Sequence, residues 1–237
     1  MEKYGQDTQK LKEIRHGNRQ SSLFENAMIP KSGAIWPSDW KSILGALLLY
    51  KLLLLAIIAL VLGLLPSFFD LNAWYGNFHY PPGTEPTFIS RFTTWDAQHF
   101  LYLSYEGTPG PDHPSTAFAQ GWPWLIRVGG LLLGGNHVLS GLLLSNIFSL
   151  LAFVILFQFI RLQFNEQCAV NSLILMVAFP GSIFFNFMYA ESLFLLLNVL
   201  FFATLYQDRF LKASLFAVIQ PVFRAIGVVT FVPFVVH

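Results

Sequence analysis

Long apolar blocks alternate with shorter polar stretches along most of the chain. A helix needs about 20 apolar residues to cross the hydrocarbon core of a membrane. Blocks of about that length cover residues 42–65, 137–160, 168–187, 190–207 and 211–235. This pattern predicts an all-α, polytopic membrane protein with five spans.

Two polar regions lie outside these blocks. Residues 1–41 form a polar lead that is too long for a secretory signal, and the apolar run that follows it is as long as a span. We therefore expect a cytoplasmic tail there. The second region, residues 66–136, is rich in turn residues at its start. It is predicted to form a short helix over 95–106 and to lie along the membrane interface over 121–135, where glycines interrupt a short apolar run.

The distribution of Lys and Arg predicts which side each loop occupies, because cytoplasmic loops carry an excess of these residues. The tail holds seven of them, whereas residues 66–120 hold only Arg91. The long loop is therefore predicted to lie outside, and so is the turn that contains Tyr189 and Glu191. The chain stops within an apolar block, and we expect this end to be a truncation.

Composition narrows the possible functions. Charged residues make up 11% of the chain, against about 25% in soluble domains. The net charge of +1 does not bear on nucleic-acid binding, but no basic face with interleaved aromatics appears, so nucleic acid is not expected as a partner. The single cysteine, Cys168, cannot form an intrachain disulfide, and neither a metal cluster nor redox chemistry is indicated.

Lys51 is a cation inside the first predicted span, about a third of the way along it. A lysine in this position can extend its side chain back to the interface and keep its ammonium group in water. We expect Lys51 to do so on the cytoplasmic side.

The stretch RFTTWDAQHFLYLSYEG, residues 91–107, contains the strongest candidate for chemistry. Thr93 and Asp96 have the spacing of a capping box, so Asp96 is open to a purely structural interpretation as a helix cap. At helical spacing, however, Asp96 shares a face with His99 and Glu106, and Trp95 adds an aromatic surface suited to a membrane interface. An acid in this setting is also typical of a general base, and partial burial against Trp95 is expected to raise its basicity.

A metal site is the alternative for this stretch. Asp96 and His99 share a helix face, but the sequence fixes no further ligand. We therefore expect no cofactor or metal, and we expect His99 to form a hydrogen bond or to contact substrate.

Two further charged residues stand near apolar runs. Glu191 lies at the outer start of a predicted span, where it either caps the helix or contributes to a site. Arg224 lies within the last apolar run, where a cation needs a partner. Glu191 in an ion pair and a lipid phosphate are the two candidate partners.

Four stretches, WDAQHFLYLSYEG, AFAQGWPWLIR, FPGSIFFNFMYAESLF and FRAIG, occur in this order between residues 95 and 227. Together they resemble the PIG-V family of mannosyltransferases, from about residue 42 to the end. The resemblance implies a membrane glycosyltransferase of the GT-C type. Asp96 matches the family's acid in the first outer loop, Trp95 matches its aromatic partner, and Glu191 and Arg224 fall on motif positions.

The resemblance also implies the substrates. The donor would be a polyprenyl or dolichyl phosphate sugar, with mannose favoured, and the acceptor a glycolipid or glycan hydroxyl. A single displacement would invert the anomeric carbon, and Arg224, Arg91 or a helix N-terminus would hold the leaving phosphate. The membrane would be the plasma membrane in a bacterium and the endoplasmic reticulum membrane in a eukaryote.

The chain departs from the family in two respects. FAQGWPW keeps one proline of a proline-rich family element, and family chains continue with further spans. Two alternatives therefore stay open beside the enzyme: a transport or lipid-binding protein without chemistry, and a truncated pseudo-enzyme or accessory subunit.

Overall fold

The computed structural model describes residues 40–64 and 69–236, and these ranges contain helices, turns and loops but no strand. The all-α prediction is confirmed, with 76% of the structure helical. The predicted tail lies almost entirely outside the described residues.

Nine α-helices occur in the described ranges, and four 3₁₀ segments lie between them. The helices are α1 (Trp40–Leu64), α2 (Leu71–Gly76), α3 (Asp96–Glu106), α4 (Gly121–Leu132), α5 (His137–Gln163), α6 (Glu166–Ala178), α7 (Glu191–Leu205), α8 (Phe210–Phe223) and α9 (Phe231–Val236). The 3₁₀ segments are Ser90–Phe92, Pro114–Ala117, Pro180–Phe185 and Ala225–Thr230.

Helices α1 and α5 are the two in the described residues that are long and apolar enough to cross a membrane. They have 25 and 27 residues, and a rise of about 1.5 Å per residue makes each longer than the hydrocarbon core, which is about 30 Å thick. The rest of the chain covers little of α1, and Leu52 and Leu60 are 63% and 60% exposed. Such a surface is suited to contact with lipid.

Two of the predicted spans are not continuous helices. Over residues 168–187, α6 ends at Ala178 because Pro180 favours an extended backbone at Phe179, where φ is −65° and ψ is 131°. Over residues 211–235, α8 ends before Arg224, whose backbone is extended with φ −147° and ψ 126°. In each case a 3₁₀ segment follows the break.

Helix α5 packs against α4, α6 and α7, and α7 packs in turn against α8. Small residues permit these close approaches, as they do between membrane helices generally. A Cβ added at Gly141 of α5 would collide with the side chain of Met188, and one added at Gly121 of α4 would lie 2.6 Å from the carbonyl oxygen of Val222.

The largest apolar cluster surrounds the segment that leads into α7. In that segment Phe187, Met188, Tyr189 and Ala190 are at most 5% exposed. They pack with buried residues from α3, α4 and α7, namely Ala97, Phe100, Leu101, Trp122, Ile126, Leu193 and Leu197. This core therefore fixes the start of α3 relative to the start of α7.

Candidate active site

Asp96 is the first residue of α3, and its side chain is exposed. The predicted helix over 95–106 is confirmed, with a start at Asp96. The expectation that Asp96 is partly buried against Trp95 is wrong, since Trp95 itself is 64% exposed. The two side chains lie at the surface of the same helix start.

The predicted capping box is also wrong. The residue before the helix is Trp95, which makes no side-chain capping hydrogen bond. Thr93 is buried, and its hydroxyl donates to the Ser90 carbonyl at 2.9 Å. The side chain that fixes this turn is Gln98, which donates to the Thr93 hydroxyl at 2.9 Å and accepts from the Tyr80 backbone N–H at 2.8 Å.

The backbone at Trp95 is strained. Its φ is +54° and its ψ is −127°, a conformation that residues with a side chain adopt rarely. Strain of this kind persists only where the surrounding contacts impose it, and it is concentrated at functional sites. Here it sets the direction in which the chain enters α3, and therefore the position of Asp96.

Tyr189 connects the start of α3 to the start of α7. Its hydroxyl donates a 2.7 Å hydrogen bond to the carbonyl of Thr94, two residues before Asp96. Burial and the negative charges of Asp96 and Glu191 raise the pKa of the Tyr189 phenol, so it stays protonated as a donor. The structure therefore brings Asp96 and Glu191 to one region around this phenol.

Glu191 begins α7 and forms an ion pair with Arg224. The two side chains are 27% and 37% exposed, so the pair is partly accessible to water. Arg224 follows α8 at the helix break and also lies 5.8 Å from the centre of the Phe194 ring. Of the two partners expected for Arg224, the structure supplies Glu191.

His99 lies between two aromatic rings. Its ring stacks on Phe78 at 4.4 Å and on Phe118 at 4.5 Å, and its Nδ1 lies 2.9 Å from the Ser115 hydroxyl. Burial lowers the pKa of His99, although the negative charge of Asp96 opposes this effect. His99 is therefore a neutral residue that forms a hydrogen bond, one of the two roles expected for it.

Arg91 and Trp95 line a groove of about 430 Å³ beside the start of α3. Ile57 and Val61 of α1 form an apolar wall of this groove, and Trp74 of α2 forms another part. The groove thus combines a surface suited to a lipid chain with a cation, Arg91, and a carboxylate, Asp70. It borders Thr94, close to the exposed acid.

The described residues contain no group of three or more His, Cys, Asp or Glu side chains placed to hold a metal ion. In particular, His113 stacks on Tyr102 at 4.1 Å and accepts a hydrogen bond from the Ser115 backbone N–H at 3.1 Å.

Comparison with known protein families shows to which family the chain belongs. The sequence model described as Mannosyltransferase (PIG-V) matches residues 84–235, more than half of the chain. The chain belongs to the PIG-V mannosyltransferase family. No curated protein and no solved structure matches it.

Membership of the PIG-V family supports glycosyltransferase activity. Together with the two long apolar helices, it also supports a membrane protein. The matched residues include every candidate site residue, namely Arg91, Trp95, Asp96, His99, Glu191 and Arg224. Helix α1, with Lys51 and the apolar wall of the groove, precedes the match.

Sequence reasoning missed the residues that hold this site together. Gln98 and the Tyr189 hydroxyl carried no local signal, because their partners lie on other elements. A signal did exist for α5, where Ser145, Asn146 and Ser149 interrupt an apolar span. Polar side chains in such a position commonly bond to a neighbouring helix.

Proposed function

We propose that this PIG-V family member transfers a sugar, with mannose favoured by the family, from a polyprenyl or dolichyl phosphate donor to a hydroxyl group of a glycolipid or glycan. The observation that carries this proposal is the exposed Asp96 carboxylate beside an apolar groove that contains Arg91. A lipid-linked donor complements this groove, because it joins an apolar chain to an anionic phosphate.

Asp96 is the general base in this proposal. Its carboxylate accepts the proton of the acceptor hydroxyl as that oxygen attacks the anomeric carbon. The bond between the anomeric carbon and the phosphate oxygen breaks, and the lipid phosphate leaves with the electron pair. One displacement inverts the anomeric configuration.

Arg91 is the better placed cation for the leaving phosphate. It lines the groove itself and lies 5.1 Å from the centre of the Phe69 ring. A guanidinium group stabilises the charge that develops on a leaving phosphate. Glu191 retains acceptor capacity for sugar hydroxyls.

Trp95 and His99 complete the proposed substrate contacts. Trp95 presents an exposed ring at the helix start, which supports a stacking role against a sugar or a lipid headgroup. His99 lies less than one helical turn from Asp96 and helps to fix the orientation of α3. In the proposed topology this site is outside, in the plasma membrane of a bacterium or the endoplasmic reticulum membrane of a eukaryote.

The test is a transfer assay with the purified protein in lipid nanodiscs. It is supplied with radiolabelled polyprenyl phosphate mannose and a mixture of glycolipid acceptors from its own membrane. The expected result is label in a glycolipid product whose new linkage is inverted relative to the donor. Binding of the donor without turnover would instead favour the lipid-binding alternative.

A further inference from the structure

Lys51 does not reach the membrane interface. It is 3% exposed, which overturns the expectation that its side chain extends into water. Its Nζ donates to the Asn146 side-chain oxygen at 3.1 Å, the Phe185 carbonyl at 2.9 Å and the Asn186 side-chain oxygen at 3.1 Å. An ammonium group has three donors, and all three are used.

All three acceptors are neutral. Two of them, on Phe185 and Asn186, lie at the end of the 3₁₀ segment that precedes α7. A cation within an apolar span is costly unless it has hydrogen-bond acceptors. These hydrogen bonds therefore favour the conformation of residues 185–186 that supplies the acceptors. Lys51 therefore links α1 to residues 185–186.

Side chains of α5 also form hydrogen bonds with this segment, from residue 185 to residue 189. Ser149 donates to the Phe185 carbonyl at 3.0 Å, Asn146 to the Asn186 carbonyl at 3.1 Å, and Ser145 to the Tyr189 carbonyl at 3.0 Å. Carbonyl groups outside regular helices need such partners when they lie away from water. Residues 185–189 are thus held by side chains of α1 and α5.

The far end of this segment reaches the candidate active site. Tyr189 donates to the Thr94 carbonyl at 2.7 Å, and the next residue, Trp95, has the strained backbone that leads into Asp96. A continuous series of contacts therefore runs from the buried ammonium group to the exposed carboxylate.

We propose that Lys51 is a positioning residue for the transfer reaction, which sets the place of Asp96 through residues 185–189 and Tyr189. This inference rests on the proposed function for its effect on turnover. The positioning itself does not need turnover and is measurable without it.

The first measurement uses a thiol at position 96. Asp96→Cys is made in a Cys168→Ser background, since Cys168 is the chain's single cysteine. The rate at which the new thiol reacts with a polar maleimide is then measured, in protein that is monodisperse on size exclusion. Lys51→Met is expected to change this rate by about threefold or more, because it releases the turn before α3. Lys41→Met is the matched control, since Lys41 is an exposed lysine of the same helix.

Tyr189→Phe supplies the second arm. It removes the last hydrogen bond of the series, so its effect on the labelling rate should have the same direction as that of Lys51→Met. The double variant should differ little from the larger single variant, because the two residues act through one path. Additive effects, or a rate that Lys51→Met leaves unchanged, would overturn the proposal. Asn146→Ala, which removes one acceptor, carries the same test if Lys51→Met does not fold.

Turnover gives the third arm. Lys51→Met with Asp96 intact should lower kcat about tenfold or more, because a misplaced base slows the chemical step. The KM for the donor should change by a smaller factor, since Trp95 on the same path also lines the donor groove. A normal kcat in folded Lys51→Met protein contradicts the positioning role. If the wild type transfers no sugar, the proposed function fails, and the labelling result still decides whether Lys51 positions residue 96.

Discussion

The ion pair between Glu191 and Arg224 allows a quantitative prediction. Glu191 is the first residue of α7, and Arg224 directly follows the last residue of α8. An acid at a helix N-terminus and a base at a helix C-terminus are each favoured by about 0.3–1 kcal/mol. The pair therefore joins two helix ends whose dipoles favour the charges that are present.

The exposure of the two side chains sets the size of the pairing energy. Exposed ion pairs contribute about 0–1 kcal/mol, and breaking a buried pair costs about 3–5 kcal/mol. At 27% and 37% exposure, Glu191 and Arg224 lie between these cases, and water screening places the coupling energy at about 1 kcal/mol. With the dipole contribution, Glu191→Gln and Arg224→Gln should each lower the free energy of unfolding by about 1.5 kcal/mol.

The assay is a double-mutant cycle measured by reversible unfolding in mixed micelles. The double variant should lose about 1 kcal/mol less than the sum of the two single variants. The charge-reversed pair, Glu191→Arg with Arg224→Glu, restores the ion pair but opposes both helix dipoles, so it should stay about 1–2 kcal/mol below the wild type. A charge-reversed protein as stable as the wild type would refute the dipole argument. Fully additive single effects would show that the two charges are not coupled.

Three further predictions follow from the groove, the aromatic cluster and the helix packing. Arg91→Gln should raise the KM for the lipid phosphate donor about tenfold and also lower kcat, because the same guanidinium group binds the phosphate and stabilises the charge that develops as it leaves. The KM for the acceptor should stay nearly unchanged, as measured by initial transfer rates; equal changes in the two KM values would argue against a phosphate contact. Burial lowers the pKa of His99 below its usual 6.5. As the pH falls, the imidazole therefore binds a proton in the unfolded chain before it does so in the folded chain, and thermal stability should fall as the pH drops below 6.5 towards the folded pKa. His99→Phe should flatten that decline between pH 7.5 and 5, and an unchanged slope would exclude His99 as its source. Gly141→Ala should lower the free energy of unfolding by about 1–3 kcal/mol, because the new methyl group collides with the Met188 side chain; a neutral result would mean that this side chain moves aside without cost.

The sequence predicted the elements whose signals are local. Apolar length predicted α1 and α5, and the spacing of residues 95–106 predicted α3. The break at Phe179 also has a local cause, since Pro180 restricts the residue before it. That break is visible in the sequence once the proline is given more weight than the apolar length.

The contacts that hold the candidate site are not local, and the sequence did not predict them. Thr93 and Asp96 matched a capping pattern, but Gln98 holds the turn through Tyr80, which is 18 residues away in the chain. Lys51 matched the pattern of a lysine that reaches the interface, yet its acceptors lie 95 or more positions later. Such pairings depend on the packing of α1, α5 and the segment before α7. The catalytic and substrate-binding roles of the site residues stay predictions.

The central claim is that Asp96 is the general base, and the most direct test is the turnover of Asp96→Asn. The matched control is Asp112→Asn, because Asp112 is another exposed aspartate of the same loop. Transfer of labelled mannose from the polyprenyl phosphate donor should fall by about 10²-fold or more in Asp96→Asn, because the amide cannot accept the proton of the acceptor hydroxyl. Asp112→Asn should transfer at nearly the wild-type rate. A wild-type rate in Asp96→Asn would contradict the account.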